Sequence, residues 1–315
     1  MVTRSLRVGA AAIACALIVR LGAGSRSLTS FLIYLETGRN VRFSPSSGDY
    51  FPTLPESAAP VFATQPEPQP EPEVTLPSYA GELSVYNTSG KMADTARLLA
   101  QPLRWDLANG EKTVLIMHTH ATESYTRHGE DYVESASWRT LDEGYNMLSI
   151  GDRVAQLLEQ AGIGVVHDRE LHDYPSYNGS YAHARAALEQ LLAEYPTIRL
   201  VLDLHRDAAD MGYGQLRTLA QTQGKDCAQL MVVIGGGHAG YEENLALGLK
   251  LTAQLERQTP GITRELLMRS TTFNQDLCPG AVLVEVGAAG NSHDEALLAA
   301  DQLAQAILAL SGGAN

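Results

Sequence analysis

Residues 113–120 read TVLIMHTH, a short apolar run that ends in two histidines. Residues 147–162, MLSIGDRVAQLLEQAG, follow with apolar positions spaced three and four residues apart. The first pattern is typical of a buried strand, and the second is typical of an amphipathic helix. This pair of patterns predicts an α/β fold for the part of the chain that contains them.

The same alternation continues to residue 310. Four further apolar runs predict strands at 163–168, 198–205, 230–236 and 281–287. Three further amphipathic segments predict helices at 181–195, 241–256 and 293–310. Nearly continuous apolar strands separated by helices indicate a mostly parallel, twisted sheet that is flanked by helices on both faces.

Composition narrows the range of functions. The chain has 315 residues, of which 44% are hydrophobic and 19% charged, so it can bury a core. Its formal net charge is −13, and an acidic surface repels phosphate backbones, so we expect no nucleic-acid partner. Three cysteines are too few for a disulfide scaffold. Whether Cys227 and Cys278 pair is left open.

Residues 1–36 are predicted to form a cytoplasmic tip followed by a membrane anchor or signal-like segment. Arg4 and Arg7 precede an uncharged run from Val8 to Val19, which is the order of charges in a secretory signal. The run is short for a membrane span, but no clear cleavage site follows it, and we favour a retained anchor. The basic residues place the N-terminus in the cytoplasm and the rest of the chain outside.

Residues 37–79 are predicted to form a disordered, extracytoplasmic linker. The stretch 52–77 contains eight of the fourteen prolines, with Glu and Gln between them. Proline fixes φ and donates no hydrogen bond, so we expect an extended, semi-rigid spacer. Residues 80–315 are then predicted to form the folded, functional domain.

Polar side chains follow or end three of the predicted strands. At the end of the strand at 113–120 and just after it are His118, His120 and Glu123. At the end of the strand at 198–205 and just after it are Asp203, His205, Arg206 and Asp207, and near the end of the strand at 281–287 is Glu285. Ligands of open α/β sheets bind outside the carboxyl ends of the strands. Because side chains alternate along a strand, we expect His118 and His120 to share a face, and likewise Asp203 and His205.

This set of residues predicts a zinc site. His120 and Glu123 form an HxxE pair, and His205 comes from a separate strand. Two histidines and one glutamate hold Zn²⁺ with a fourth position open to water. Zinc lowers the pKa of such a water to about 7 and polarises a carbonyl. Glu285 is then predicted to be the general base and acid of a hydrolysis.

Several of these assignments have alternatives. His118 could replace His120 as the ligand, and otherwise it is predicted to support the ligands or to contact substrate. Glu143, just before a predicted helix, could replace Glu123. Arg206 could bind a substrate carboxylate and Asp207 could orient His205. Equally, these two residues could form an internal ion pair that fixes the loop.

Longer stretches resemble the stage II sporulation protein P family. They are HTHATESY (118–125), YPSYNGSYAHAR (174–185), VLDLHRDA (201–208), EENLALGLKL (242–251), FNQDLCPGAVLVEVGAAGN (273–291) and DEALLAA (294–300). The order of HxxE, His and a later Glu also resembles zinc carboxypeptidases and the zinc amidases that cut peptidoglycan.

The family resemblance implies a membrane-anchored peptidoglycan hydrolase of endospore-forming bacteria. It implies N-acetylmuramoyl-L-alanine amidase activity, which separates stem peptides from the glycan strands, and endopeptidase activity on the cross-link peptides. It further implies a place at the sporulation septum, on the mother-cell side of the cytoplasmic membrane, during engulfment. There a lytic transglycosylase like stage II sporulation protein D would be its partner. Two alternatives are a zinc peptidase that cuts stem peptides only and a metal-free peptidoglycan-binding module.

Overall fold

A seven-stranded sheet organises the part of the chain that the structure describes. The computed structural model describes residues 73–74, 83–127, 138–209 and 215–311. The strands are β1 (Glu73–Val74), β2 (Val85–Asn87), β3 (Leu103–Arg104), β4 (Lys112–Met117), β5 (Gly164–His167), β6 (Leu200–Asp207), β7 (Leu219–Thr222), β8 (Lys225–Ala228), β9 (Leu230–Gly235), β10 (Leu266–Arg269) and β11 (Ala281–Ala288). The main sheet has the order β2-β10-β9-β11-β6-β4-β5.

The main sheet is mostly parallel, as predicted. Five of its six pairings are parallel, and the pairing of β9 with β11 is antiparallel. The strands β2, β10 and β9 therefore run opposite to β11, β6, β4 and β5. All five predicted strands are present, and β2 and β10 extend the sheet beyond them.

Five helices lie in the described part of the chain. They are α1 (Thr95–Ala100), α2 (Met147–Gln160), α3 (Ser180–Glu194), α4 (Tyr241–Gln258) and α5 (His293–Leu310). The side chain of Asn146 caps α2 by accepting a hydrogen bond from the backbone N–H of Leu148. Ser292 and Glu295 form a reciprocal capping box at the start of α5. Such caps satisfy backbone N–H groups that have no partner within the helix.

The helices cover the two faces of the sheet unequally. Apolar residues of α1, α2, α4 and α5 pack on one face, in a core that includes Val114, Leu202 and Val284. On the other face, α3 packs over β4, β6 and the start of β11, where Ala184 and Leu188 meet Leu115 and Val201. These strands are apolar throughout because both of their faces are buried.

The second face has an open half. Met231, Val233, Leu267 and Leu283 from β9, β10 and β11 form a small apolar cluster of their own, with Phe273 packed against it. No helix in the described ranges contributes to this cluster. Helices on both faces were predicted, and the structure confirms this for the β4–β6 half of the sheet only.

Smaller features complete the described fold. The strands β7 and β8 form a hairpin whose two turn residues, Gln223 and Gly224, both have positive φ, as tight hairpin turns require. Glu73–Val74, inside the predicted linker, pairs with Leu103–Arg104. Cys227 and Cys278 are both buried and unbonded, so they do not pair with each other.

The N-terminal predictions fall largely outside the described residues. The anchor predicted at 1–36 lies wholly outside them, as does the linker predicted at 37–79 apart from Glu73–Val74. Among the residues that the structure describes, none of the helices combines the length and the apolar character that crossing a bilayer requires.

A buried lysine generates a prediction about stability. Lys250 of α4 is 2% exposed and donates to the backbone carbonyl of Leu98. Burial lowers the pKa of its ammonium from 10.5 to about 8. The charged form therefore costs stability below pH 8, and this cost is relieved as the pH rises from 8 towards 10.5.

We predict that Lys250→Met raises the free energy of unfolding at pH 7 by about 1–2 kcal/mol. This value already subtracts the contribution of the hydrogen bond that is lost. The gain should shrink between pH 8 and 10.5. Urea denaturation across this range measures both effects, and Lys225→Met, at an exposed position, is the control. A Lys250→Met protein that is less stable than wild type at pH 7 would contradict the prediction.

Candidate active site

Parallel pairing brings three strand ends to one edge of the sheet. β6 lies between β4 and β11, with Met117 opposite Asp203 and Glu285 opposite His205. The side chains of Asp203, His205 and Glu285 belong to the face that carries α3, because odd-numbered residues of β6 and β11 point there. Asp203 and His205 thus share a face, as predicted.

His120 reaches this face through a tight turn after β4. The backbone N–H and the hydroxyl of Thr119 donate to the two carboxylate oxygens of Asp203, at 2.8 and 2.7 Å. The backbone N–H of Glu123 donates to the carbonyl of His120. The imidazole of His120 stands edge-on to that of His205, with ring centroids 5.2 Å apart. Burial lowers the pKa of His120 to about 4, so its ring is neutral and can act as a metal ligand.

Glu123 lies beside His205 and is held ionised. One carboxylate oxygen accepts from the backbone N–H of Arg206 at 3.1 Å and lies 3.6 Å from Nδ1 of His205. The other lies 3.4 Å from the guanidinium of Arg139. Burial alone would raise the pKa of this carboxyl, but Arg206 and His205 outweigh burial and lower it to about 2.

His205 lies between two carboxylates. Its Nδ1 faces Glu123, and its Nε2 lies 2.9 Å from Oδ1 of Asp203. Burial disfavours the imidazolium, but Asp203 and Glu123 outweigh this and raise the pKa of His205 well above its usual range. The site therefore favours a positive charge at this point, either on the imidazole itself or on a cation next to it.

Glu285 faces the same space from β11. Its Oε2 atom is buried and has no hydrogen-bond partner. Burial, and the nearby charges of Glu123 and Asp207, raise the pKa of Glu285 to about 8 against the opposing effect of His205. A carboxyl whose pKa lies near neutrality can both accept and return a proton.

The unpaired atoms of this edge fit a metal ion. Nδ1 of His120 and Oε2 of Glu285 are both buried without a hydrogen-bond partner, and Nε2 of His205 lies beside Asp203 but outside hydrogen-bond geometry. Buried polar atoms are seldom left unpaired. Imidazole nitrogens with a carboxylate are the ligands that zinc prefers in open catalytic sites. The predicted residues His120, Glu123 and His205 therefore fit Zn²⁺ in their chemistry and in their shared position.

A second group of potential ligands lies elsewhere. Within the described ranges, one trio of ligand atoms is mutually within 4.8 Å, and it belongs to Asp168, Glu170 and His172. The predicted trio is not drawn together as closely in this structure. However, Nε2 of His172 is already 2.9 Å from a carboxylate oxygen of Asp168, and Glu170 is exposed. Asp168 and His172 thus pair with each other without a metal, and Nδ1 of His172 is left buried with no hydrogen-bond partner.

His118 does not share a face with His120, contrary to the alternation rule. β4 ends at Met117, so the pleat no longer sets the direction of the later residues. The imidazole of His118 is fully buried against α2, where a Cβ on Gly151 would lie 2.5 Å from its Nε2. Its ring nitrogens contact the carbonyl of Leu204 and Nε2 of His167. These contacts leave neither nitrogen for a metal or a substrate.

Arg206 and Asp207 make internal contacts. The buried guanidinium of Arg206 donates to the carbonyls of Ser124 and Trp138, at 3.0 and 2.6 Å. Arg206 therefore fixes the loop through backbone carbonyls, whereas the ion pair of Asp207 is with Arg264. Asp207 accepts from Arg264 at 2.6 Å and is not in contact with His205. The alternative ligand Glu143 is exposed and pairs with Arg169.

Sequence reasoning missed residues that surround His120. Tyr177 stacks on its imidazole with centroids 4.5 Å apart, and Tyr181 lies edge-on at 5.5 Å. Arg139 lies over the ring of Tyr177 and pairs with Asp173. Both tyrosines lie in the stretch 174–185 that carries part of the family resemblance, so that stretch could have indicated them. No comparable signal marks Arg139.

Sequence comparison gives a family match over most of the chain. The family model described as Stage II sporulation protein P matches residues 61–308. The Stage II sporulation protein P of Bacillus subtilis (strain 168) is 29% identical over 207 residues, which cover 62% of this chain and 50% of that protein. The chain thus spans about half the length of the curated relative that it matches.

Solved structures with a similar fold include two amidases. The N-acetylmuramoyl-L-alanine amidase AmiC2 of Nostoc punctiforme has 18% identity and a TM-score of 0.41, covering 63% of this chain and 96% of its own. The N-acetylmuramyl-L-alanine amidase Ami1 from Mycobacterium smegmatis has 15% identity and a TM-score of 0.41, covering 66% of this chain and all of its own.

The raised pKa of Glu285 gives a prediction for the metal-free protein. The group ionises near pH 8 in the fold and near 4.5 when unfolded. Between these values the unfolded chain binds fewer protons, so Glu285 makes stability fall as the pH rises from 4.5 to 8.

Glu285→Gln should therefore raise the free energy of unfolding in chelator at pH 8.5 by about 2–4 kcal/mol, with no gain at pH 4.5. Urea denaturation at the two pH values checks this, with the exposed Glu194→Gln as the matched control. Equal stability of Glu285→Gln and wild type at pH 8.5 would show that the carboxyl ionises freely in the fold.

Proposed function

The chain belongs to the stage II sporulation protein P family, and from this membership we propose that it is a zinc-dependent peptidoglycan hydrolase of sporulation. The bond cleaved would be the N-acetylmuramoyl-L-alanine amide, between the glycan strand and the stem peptide. The observation that carries the proposal is the shared position of three side chains: the rings of His120 and His205 are 5.2 Å apart, and a carboxylate oxygen of Glu123 lies 3.6 Å from Nδ1 of His205.

His120, Glu123 and His205 would hold the zinc ion. The neutral imidazole of His120 and the ionised carboxylate of Glu123 are in the protonation states that metal binding needs. His205 would give up its proton on binding, and the positive charge favoured between Asp203 and Glu123 would then be the ion's own. When bound, zinc supplies polarisation of the amide carbonyl and a water of lowered pKa.

Glu285 would move the proton. Oε2 of this residue is buried and unpaired, and it faces the edge where His205 lies. In our proposal its carboxylate takes a proton from the attacking water and returns it to the nitrogen of the leaving L-alanine as the C–N bond breaks. A carboxyl with a raised pKa suits both transfers, because its two protonation states are close in free energy at neutral pH.

Other residues would position these groups. Asp203 holds the turn of His120 through Thr119 and lies against His205. Arg206 fixes the Glu123 carboxylate through its backbone N–H and fixes the loop through its guanidinium. Ligand orientation by such neighbours is a usual requirement of catalytic metal sites.

The placement of the domain in the cell is part of the proposal. Residues 1–36 would anchor the chain in the cytoplasmic membrane, 37–79 would act as a spacer, and 80–315 would work outside on septal peptidoglycan during engulfment. A lytic transglycosylase like stage II sporulation protein D would cut the glycan strands beside it. The Pro-rich composition of 52–77 supports the spacer.

We predict that the wild-type chain binds one zinc ion and releases intact stem peptides from purified sacculi. His205→Ala should lose both properties, whereas Glu285→Gln should keep the zinc and lose at least about 100-fold in cleavage rate. Elemental analysis and mass spectrometry of the products measure these outcomes. His238→Ala, in the loop after β9, is the matched control for a histidine removal.

Two results would contradict the amidase proposal in different ways. Shortened peptides that stay attached to the sugar would indicate a peptidase that acts on stem peptides only. Neither zinc nor cleavage in the wild type would indicate a binding module. Normal cleavage by Glu285→Gln would refute the role of this carboxylate in proton transfer.

A further inference from the structure

A groove runs along the open half of the sheet and reaches Glu285. It encloses about 860 Å³, and its floor includes Met231, Val233, Leu267 and Leu283. Glu285 itself lines the groove, so whatever occupies it lies next to the candidate active site. Concave, largely apolar sites with a few polar groups are the usual form of binding sites.

Among the described residues, some charged side chains of the groove have a hydrogen-bond or ion-pair partner, and one does not. Near Glu285, Arg264 pairs with Asp207 at 2.6 Å, and Ser84 donates to Glu265. Arg269 is exposed and lines the groove. Within the described ranges its guanidinium has neither an ion pair nor a hydrogen bond. The groove therefore offers one uncompensated cation to a ligand.

The strand register places Arg269 at the far end of the groove from Glu285. Leu283 and Leu267 both stand opposite Val233, and β10 runs antiparallel to β11. Glu285 is two residues beyond this row in one direction, and Arg269 is two residues beyond it in the other. Their Cα atoms are thus about 13 Å apart along the strands and about 10 Å apart across them.

Phe273 lies in the loop after β10 and packs against the apolar floor of the groove. Its φ of 50° lies in the left-handed region, which costs energy for a large side chain. The ring lines the groove and lies 5.9 Å from that of Tyr181. Such backbone strain tends to be kept where it places a side chain for a ligand.

We propose that the groove holds the stem peptide in an extended conformation, with the scissile amide at Glu285 and the C-terminal carboxylate of the peptide on Arg269. This inference rests on the proposed amidase function and adds the direction and the length of the substrate. An extended peptide of four to five residues spans about 13–18 Å, which matches the separation of the two residues. The apolar floor would accommodate the alanine methyl groups.

A consequence is selectivity between stem peptides. A stem peptide that donates its terminal carboxyl to a cross-link has that group converted to an amide, so it cannot form a charge-assisted contact with the guanidinium. The acceptor peptide is joined through an amine and keeps its carboxylate. The groove should therefore favour stem peptides of the matching length with a free terminal carboxylate over those that are the carboxyl donors of a cross-link.

The test measures binding of a synthetic stem tetrapeptide, as the free acid and as its C-terminal amide, to the full chain by calorimetry. Wild type should bind the acid about tenfold more tightly than the amide, a ratio worth about 1.4 kcal/mol. Arg269→Gln should bind both at the level of the amide, and Arg269→Lys should restore part of the ratio. Arg97→Gln, an exposed arginine on α1, should keep the full ratio.

Two results would overturn the inference: a wild-type ratio near one, or an unchanged ratio in Arg269→Gln. The binding measurement needs no cleavage, so the two proposals fail separately. Arg269-dependent binding by a chain that does not cut the muramoyl amide would refute the proposed function alone. Cleavage without acid-over-amide selectivity would refute the groove assignment alone.

Discussion

The parallel pairing of β6 with β4 on one side and β11 on the other is the constraint on which the candidate site depends. It sets Glu285 opposite His205 and Met117 opposite Asp203, although these residues are far apart in the chain. The hydrogen bonds from Thr119 to Asp203 then tie the turn that carries His120 to β6. A slip of one residue between these strands would turn His205 or Glu285 to the opposite face.

The same edge concentrates features that are unfavourable for folding. Glu285 has a buried oxygen without a partner, His205 lies between two carboxylates, and no helix of the described ranges contributes to the apolar cluster on the neighbouring half of the sheet. Local rules of good folding are most often broken at functional sites. The well-packed cores around α2, α4 and α5 supply the stability that allows these features to persist.

Short-range sequence patterns predicted the strands and helices, because apolar spacing directly reflects which faces are buried. They could not predict the direction of β9, since the apolar run at 230–236 reads the same whether its neighbour is parallel or antiparallel. They could not predict the groove either, since an apolar strand reads the same whether or not a helix covers it. His118 was placed wrongly because alternation holds only within a strand, and β4 ends at Met117. The grouping of His120, Glu123 and His205 could be predicted, because the polar residues at the carboxyl ends of parallel strands meet at one edge of the sheet.

In our proposal a zinc ion lies between His120, Glu123 and His205. An anomalous difference map at the zinc absorption edge, from crystals of the full chain grown with zinc, tests this most directly. We expect one strong peak, within bonding distance of these three side chains and beside Glu285. A peak at Asp168, Glu170 and His172 instead, or no peak at either place, would contradict it.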